Sequence, residues 1–213
     1  MEEEMKKKGK TKKVLIIIPI ILVILVVAYV ALIKYEQKQA EQTITKMFSS
    51  LQNGEETDSF LADMVDDSLN NLTESEENKT DTTFFKKLSY NVLSTKGNFK
   101  NAAIVVEVTN KNMKTVLTNY MTKAFQLAFA SAFSSDELTE EEMNKQLGEY
   151  LEEQINSDEI ETLTSTVTIK LEKNDGKWIF YEENKTEIIN AILPGFTEFQ
   201  ESLQNSLNDG MEE

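Results

Sequence analysis

The chain has 213 residues, of which 37 are acidic and 22 are basic, so its formal net charge is -15. All the basic residues are lysine, and the sequence contains no arginine, histidine or cysteine. These absences exclude disulfides, thiolate nucleophiles and zinc–thiolate sites, and they remove the commonest general base and the side chain that best clamps phosphate. Because no motif points to another chemistry, the sequence assigns no catalytic, cofactor-binding or metal-ligating residue.

An uncharged apolar run from Val14 through Leu22 to Ile33 predicts a transmembrane helix at residues 14–33. A helix of this length spans about 30 Å, the thickness of the hydrocarbon core of a bilayer. Residues 1–13 form a basic tail, so the positive-inside rule predicts a cytoplasmic N-terminus and an extracytoplasmic remainder in a single-pass protein of the cell membrane. The lysines that carry this prediction are Lys6, Lys7, Lys8, Lys10, Lys12 and Lys13.

A cleaved secretory signal is the alternative interpretation of the same run. Such signals have an apolar region of about 7–15 residues followed by a small-x-small cleavage site. The run in this chain is longer, and it ends in AYVALIKYE, which is a poor cleavage site. An uncleaved anchor is therefore favoured, although either interpretation predicts that the rest of the chain is exported.

The exported part is more acidic than the whole chain. Six of the 22 lysines and three of the 37 acidic residues precede residue 34, so 16 lysines and 34 acidic residues remain and the charge is -18. Nucleic acids and anionic lipid headgroups both require a cationic surface, so the sequence predicts neither as a partner. Residues 34–208 are predicted to fold as one domain, followed by a disordered tail at residues 209–213.

The exported domain is predicted to begin with helices. Residues 35–51 place Ala40, Ile44 and Phe48 on one apolar face, which is typical of an amphipathic helix that could continue the membrane helix. A second amphipathic helix is predicted at residues 58–72, capped by Asp58 or Ser59, and a polar loop follows at residues 73–83.

Two β-hairpins are predicted from alternating apolar residues and turn signals. The first joins residues 87–94 and 99–109 through a turn at Lys96-Gly97-Asn98. The second joins residues 162–173 to the strand KWIFYE through a turn at Asn174-Asp175-Gly176. The alternation predicts a four-stranded antiparallel sheet with one covered face and one wetter face.

Between the hairpins, residues 113–133 are predicted to form a helix, and its lysines disfavour a second membrane span. Phe125, Phe129 and Phe133 recur every four residues and form what we call the Phe ridge. A capping box at Thr139 and Glu142 predicts a second helix that folds back as a helical hairpin. The favoured interpretation buries the Phe ridge inside this hairpin. The alternative is a pocket lining or partner surface formed by Tyr120, Phe125, Phe129, Phe133 and Trp178.

A last apolar helix is predicted at residues 186–207, with a break at Pro194-Gly195. The helical start, the antiparallel sheet and the late DGKWIF strand together resemble the nuclear transport factor 2-like, cystatin-like superfamily, over residues 39–199. More narrowly, the chain is similar to uncharacterised exported domains of Gram-positive bacteria. It departs from that pattern by inserting two long helices, at residues 113–156, between its hairpins.

The resemblance implies an α+β fold with a curved sheet around a cone-shaped pocket, which different members use for ligand binding, catalysis or scaffolding. We expect a non-enzymatic, membrane-anchored binding or scaffold domain for a partner protein or a small apolar ligand, without a cofactor. One alternative is an isomerase- or lyase-type enzyme that uses a carboxylate or one of Tyr90, Tyr120 and Tyr181. Another is self-association through the Phe ridge, and the sequence leaves the oligomeric state open.

Overall fold

The computed structural model describes residues 2–53, 82–133 and 138–209. Within them the fold is α+β, as predicted, and the helix predicted at residues 58–72 lies outside them. Short 3-10 helices lie at Thr82–Phe85 and Glu182–Asn184. The main elements are α1 (Glu2–Asn53), β1 (Ser89–Gly97), β2 (Asn101–Lys111), α2 (Met113–Phe133), α3 (Glu140–Asn156), β3 (Thr162–Asn174), β4 (Lys177–Phe180), α4 (Lys185–Ile192) and α5 (Phe196–Asp209).

The four strands form one antiparallel sheet in the order β1-β2-β3-β4, which confirms the two predicted hairpins. Asp175 and Gly176 turn β3 into β4 with φ angles of 47° and 81°, a conformation that glycine and aspartate adopt readily. The sheet is open and uncurled, so the curvature implied by the resemblance is wrong. A sheet of this shape presents one broad face for helices to cover instead of wrapping around a pocket.

Helix α1 covers the inner face of the sheet with the apolar stripe predicted from the sequence. Ala40, Ile44 and Phe48 are fully buried in the main core. Helix α4 covers the same core beside β2 and β3. The core is closed by large side chains that expose almost no surface, among them Phe85, Phe196, Ile104, Ile169 and Leu171.

We call the described residues from 34 onward the head. Helix α1 is continuous from the apolar segment into the core of the head. The part of the chain that the structure describes contains one helix long and apolar enough to cross a membrane, with a mean hydropathy of 2.0 in its most apolar window. None of that window is buried, and Leu22 is 57% exposed. Val14 and Ile33 lie in the same helix. The head is therefore joined to the apolar segment by unbroken helix.

The amide of Asn110 connects three parts of the head at the end of β2. This side chain is fully buried, and its Nδ2 donates to the carbonyl oxygens of Phe84 at 3.1 Å and of Ile192 at 2.7 Å. Its Oδ1 accepts from the backbone N–H of Lys111 at 2.9 Å. Asn110 thus holds the end of α4 and the 3-10 helix before β1 against the central strand.

Replacing Asn110 with alanine leaves two buried carbonyl oxygens without their donor. We expect Asn110→Ala to lower the free energy of unfolding by about 2–4 kcal/mol. Urea unfolding of the full chain in detergent, followed by the fluorescence of the single tryptophan, measures this change. The control is Asn91→Ala on the exposed side of β1, expected within about 0.5 kcal/mol of wild type. Equal effects of the two substitutions would contradict the role of Asn110.

Candidate partner-binding surface

The Phe ridge is exposed, so the favoured interpretation of it as internal core is wrong. Phe125, Phe129 and Phe133 are 68%, 69% and 77% exposed. The rings of Phe129 and Phe133 lie 4.6 Å apart at an interplanar angle of 42°, and they cover each other only in part. The second half of α2 therefore presents a run of aromatic rings to solvent.

The packing of the helical hairpin explains this exposure. Asn119 donates to Gln154 Oε1 at 2.7 Å, which sets the antiparallel register between α2 and α3. This register brings Leu127 level with Leu147, and both are buried. Leu127 and Phe129 are two residues apart, about 200° around the helix, so the contact that buries the leucine leaves the phenylalanine outside.

The first half of α2 is embedded in the head, and the second half is not. Met113, Val116 and Leu117 are buried in the main core. Helix α2 packs against α3 and α5 instead of lying along the sheet. The hairpin thus extends from the end of β2, and its far part has no cover among the described residues.

The other two residues of the predicted surface lie elsewhere. Trp178 on β4 is 8% exposed and belongs to the main core, beside the part of α1 near Glu36. Lys173 Nζ lies 5.6 Å from the centre of its ring and also forms an ion pair with Glu36. Tyr120 is half-buried against the core. The structure therefore does not bring Trp178 to the Phe ridge.

A capping box begins α3, as predicted from Thr139 and Glu142. The backbone N–H of Glu142 donates to Thr139 Oγ1 at 3.2 Å, and the backbone N–H of Thr139 donates to Glu142 Oε2 at 3.0 Å. The hydrogen bond from the Thr139 backbone, followed by that from its hydroxyl, holds the pKa of the Glu142 carboxyl below its ordinary value of 4.5. The cap therefore depends on an ionised carboxylate.

Lys111 fastens the other end of the hairpin and was missed by the sequence analysis. Its side chain is 6% exposed, and its Nζ donates to the carbonyl oxygens of Ser157 and, at 2.9 Å, of Ile160. Ser157 caps the C-terminal end of α3, where a cation is favourable, and Ile160 lies in the segment that leads to β3. A lysine at the end of a strand normally lies in solvent, so no pattern in the sequence distinguishes this one.

Two clefts in the described residues are lined mainly by polar side chains. One, of about 540 Å³, lies between α4 and the part of β3 beyond the short strand β4, and its lining includes Ser165, Thr166, Lys170 and Glu187. The other, of about 500 Å³, lies between α1 and β1. The three tyrosines considered as catalytic residues line neither cleft. Tyr90 stacks on Phe48, Tyr120 is half-buried against the core, and the Tyr181 hydroxyl donates to Asn101.

Comparisons with known proteins add little to this geometry. No protein-family model matches the chain, and no curated protein matches it. A crystal structure of YcdA, a candidate lipoprotein of Bacillus subtilis, is similar with a TM-score of 0.42 and 20% sequence identity. The match covers 62% of this chain and 44% of YcdA. Similarity at this level assigns neither a family nor a function, and the nuclear transport factor 2-like assignment stays a prediction.

The exposure of the Phe ridge predicts that replacing phenylalanine with alanine affects stability differently at an exposed and at a buried position. We expect Phe129→Ala to change the free energy of unfolding by less than about 1 kcal/mol, because the ring already lies in water. We expect Phe48→Ala, at a fully buried position, to lower it by about 3–5 kcal/mol. Urea titrations of both variants provide the measurement, and a large loss for Phe129→Ala would mean that the ridge is covered.

The capping box predicts a pH-dependent part of the stability of the head. Because the pKa of Glu142 is depressed in the folded state, its contribution is fully present above the ordinary value of 4.5 and is lost as pH falls through the lower folded-state pKa. We therefore expect the advantage of wild type over Glu142→Gln in urea unfolding to shrink on acidification below about pH 5.

The matched control for this prediction is Glu141→Gln. It removes the same charge from the same turn of α3 at an exposed position, and the capping hydrogen bonds stay in place. If the two variants lose their difference from wild type over the same pH range and by the same amount, the capping box does not cause the pH dependence.

Proposed function

We propose that the chain is a membrane-anchored binding or scaffold protein whose head lies outside the cytoplasm and docks a partner protein through the Phe ridge. Phe125, Phe129 and Phe133 carry this proposal, since they are the large exposed apolar residues of α2. The anchor would be residues 14–33, with the basic tail in the cytoplasm. No catalytic step is part of the proposal.

The apolar half of α1 supports the anchor. A long apolar helix whose large side chains from Ile20 to Leu32 are at least half exposed would be unfavourable in water, whereas a bilayer would cover it. Six lysines precede residue 14, whereas only Lys34, Lys38 and Lys46 lie within 15 residues after Ile33, and this difference favours a cytoplasmic N-terminus and an exported head. The helical start and the four antiparallel strands support a nuclear transport factor 2-like architecture as the finer assignment, with a sheet that lacks the curvature expected of it.

The geometry of the Phe ridge favours a protein partner over a small apolar ligand. Small-molecule sites are concave and surround most of the ligand, whereas these rings project from the outside of a helix. Apolar anchors spaced four residues apart on one helix face are the form in which a helix enters a groove on another protein. Three neighbouring exposed aromatic rings support an interaction surface, because contiguous exposed apolar area is unfavourable in water.

Site-specific photocross-linking in the native host tests the docking. A chain with the photoreactive amino acid benzoylphenylalanine at Phe129 is expected to give a discrete adduct with a second protein. Replacing Phe125 and Phe133 with serine in that chain is expected to abolish the adduct, because these two rings supply the rest of the apolar contact.

The control carries the same photoreactive group at Glu149, an exposed position on α3 in the same helical hairpin. It should give no discrete adduct. The proposal fails if Phe129 and Glu149 give the same pattern. An adduct between two copies of this chain would replace a foreign partner with self-association through the ridge.

A further inference from the structure

One end of the sheet is held against the last turns of the apolar run. The ring of Phe99, between β1 and β2, lies 5.7 Å from the ring of Tyr29 in α1. Tyr29 precedes Ile33 by four residues, which is about 6 Å along the helix. Gln37 Nε2 donates to the carbonyl oxygen of Gly97 at 3.2 Å, so the hairpin tip is fixed to α1 at two levels. With residues 14–33 in a bilayer, Phe99 would lie at the depth of its interface.

The neighbouring turn between β3 and β4 lies at the same end. Asn101 pairs with Glu172, and the backbone N–H of Lys173 donates to the carbonyl oxygen of Lys100 at 2.7 Å. Lys173 also forms an ion pair with Glu36 of α1. Three separate chain segments, at residues 34–41, 93–101 and 172–178, therefore meet around the base of the head.

Charge is distributed very unevenly between this base and the rest of the head. The three segments contain six of the 16 lysines of residues 34–213 but only four of the 34 acidic residues, namely Glu36, Glu41, Glu172 and Asp175. Lys173 is paired with Glu36, and the other five lysines are exposed. We call these five the lysine collar: Lys34, Lys38, Lys96, Lys100 and Lys177.

Exposed aromatic and aliphatic side chains lie beside the lysines on this base, which is a composition typical of a membrane interface. Tyr35 is 59% exposed, and tyrosine is one of the two side chains that concentrate at the level of lipid headgroups. Phe99 is 38% exposed and adds apolar surface beside it. The cleft of about 500 Å³ between α1 and β1 opens here, beside the half-exposed Leu93. Its charged lining residues are Lys34, Lys38 and Glu41, so two of the three are cationic. Ammonium groups beside such a cleft suit a phosphate-bearing headgroup.

We propose that the lysine collar and Phe99 dock the base of the head on the anionic headgroups of the bilayer that holds α1. This inference rests on the anchor in the proposed function, and it is independent of the Phe ridge. The overall acidic charge argues against contact with anionic lipids, but attraction depends on the charge within about one Debye length of the surface. Docking would hold the acidic remainder of the head away from the membrane.

Quenching by brominated lipids in nanodiscs tests the docking. Trp178 is first replaced by phenylalanine, which leaves the chain without tryptophan. Phe99→Trp is then made in this background, and Phe129→Trp serves as the matched control on the Phe ridge. In nanodiscs that contain brominated phosphatidylglycerol, Phe99→Trp is expected to lose roughly half or more of its fluorescence, and Phe129→Trp little.

The charge dependence provides the second arm. Quenching of Phe99→Trp is expected to fall by about twofold or more in brominated phosphatidylcholine nanodiscs, and also when salt is raised from about 0.1 M to about 1 M. Adding Lys96→Gln and Lys100→Gln is expected to give a similar loss. Both lysines are exposed, so these substitutions do not disturb the core, and circular dichroism verifies the fold.

Three results would overturn the inference, and only the first of them would also contradict the proposed function. A chain that elutes apart from the nanodiscs removes the anchor, and the proposed function fails with it. Equal quenching of the two tryptophans in chains that co-elute with nanodiscs removes the docking alone. Quenching that is the same in anionic and neutral nanodiscs shows that headgroup charge is not what the base recognises.

Discussion

Helix α1 has an exposed apolar segment at one end and a segment buried in the core of the head at the other, within one unbroken helix. From Ile20 to Leu32 its side chains are exposed, while Ala40, Ile44 and Phe48 further along are fully buried in the head. Because backbone hydrogen bonds inside a helix are satisfied regardless of the surroundings, α1 can leave one environment and enter the other without a break. The head therefore has no flexible stalk between itself and the apolar segment, and every other surface is oriented by α1.

This orientation gives the head two different ends. The tip of the β1–β2 hairpin lies beside Tyr29, whereas α2 starts at the opposite end of β2. Lysines gather at the first end, and the helical hairpin with its acidic α3 is attached at the other. The two proposed contacts, with a bilayer and with a protein, therefore lie at opposite ends of the head and share no residues.

The helical hairpin explains how an apolar ridge can persist in a stable head. Asn110 and Lys111 satisfy buried carbonyl groups where the hairpin joins the sheet, so its attachment does not depend on burying the ridge. The glutamates of the first turn of α3 add negative charge to the hairpin, and charge repulsion opposes non-specific association of exposed rings. An exposed Phe ridge is therefore compatible with solubility.

The sequence alone determined the apolar helix, the two hairpins, the capping box at Thr139 and the break at Pro194-Gly195. Each depends on the period of apolar residues or on the backbone preferences of neighbours a few positions apart. The exposure of Phe129, the burial of Lys111 and the contact between Tyr29 and Phe99 were decided only by the tertiary structure. These features depend on which helix face meets a neighbour and on contacts between distant segments, and a local pattern carries no information about either.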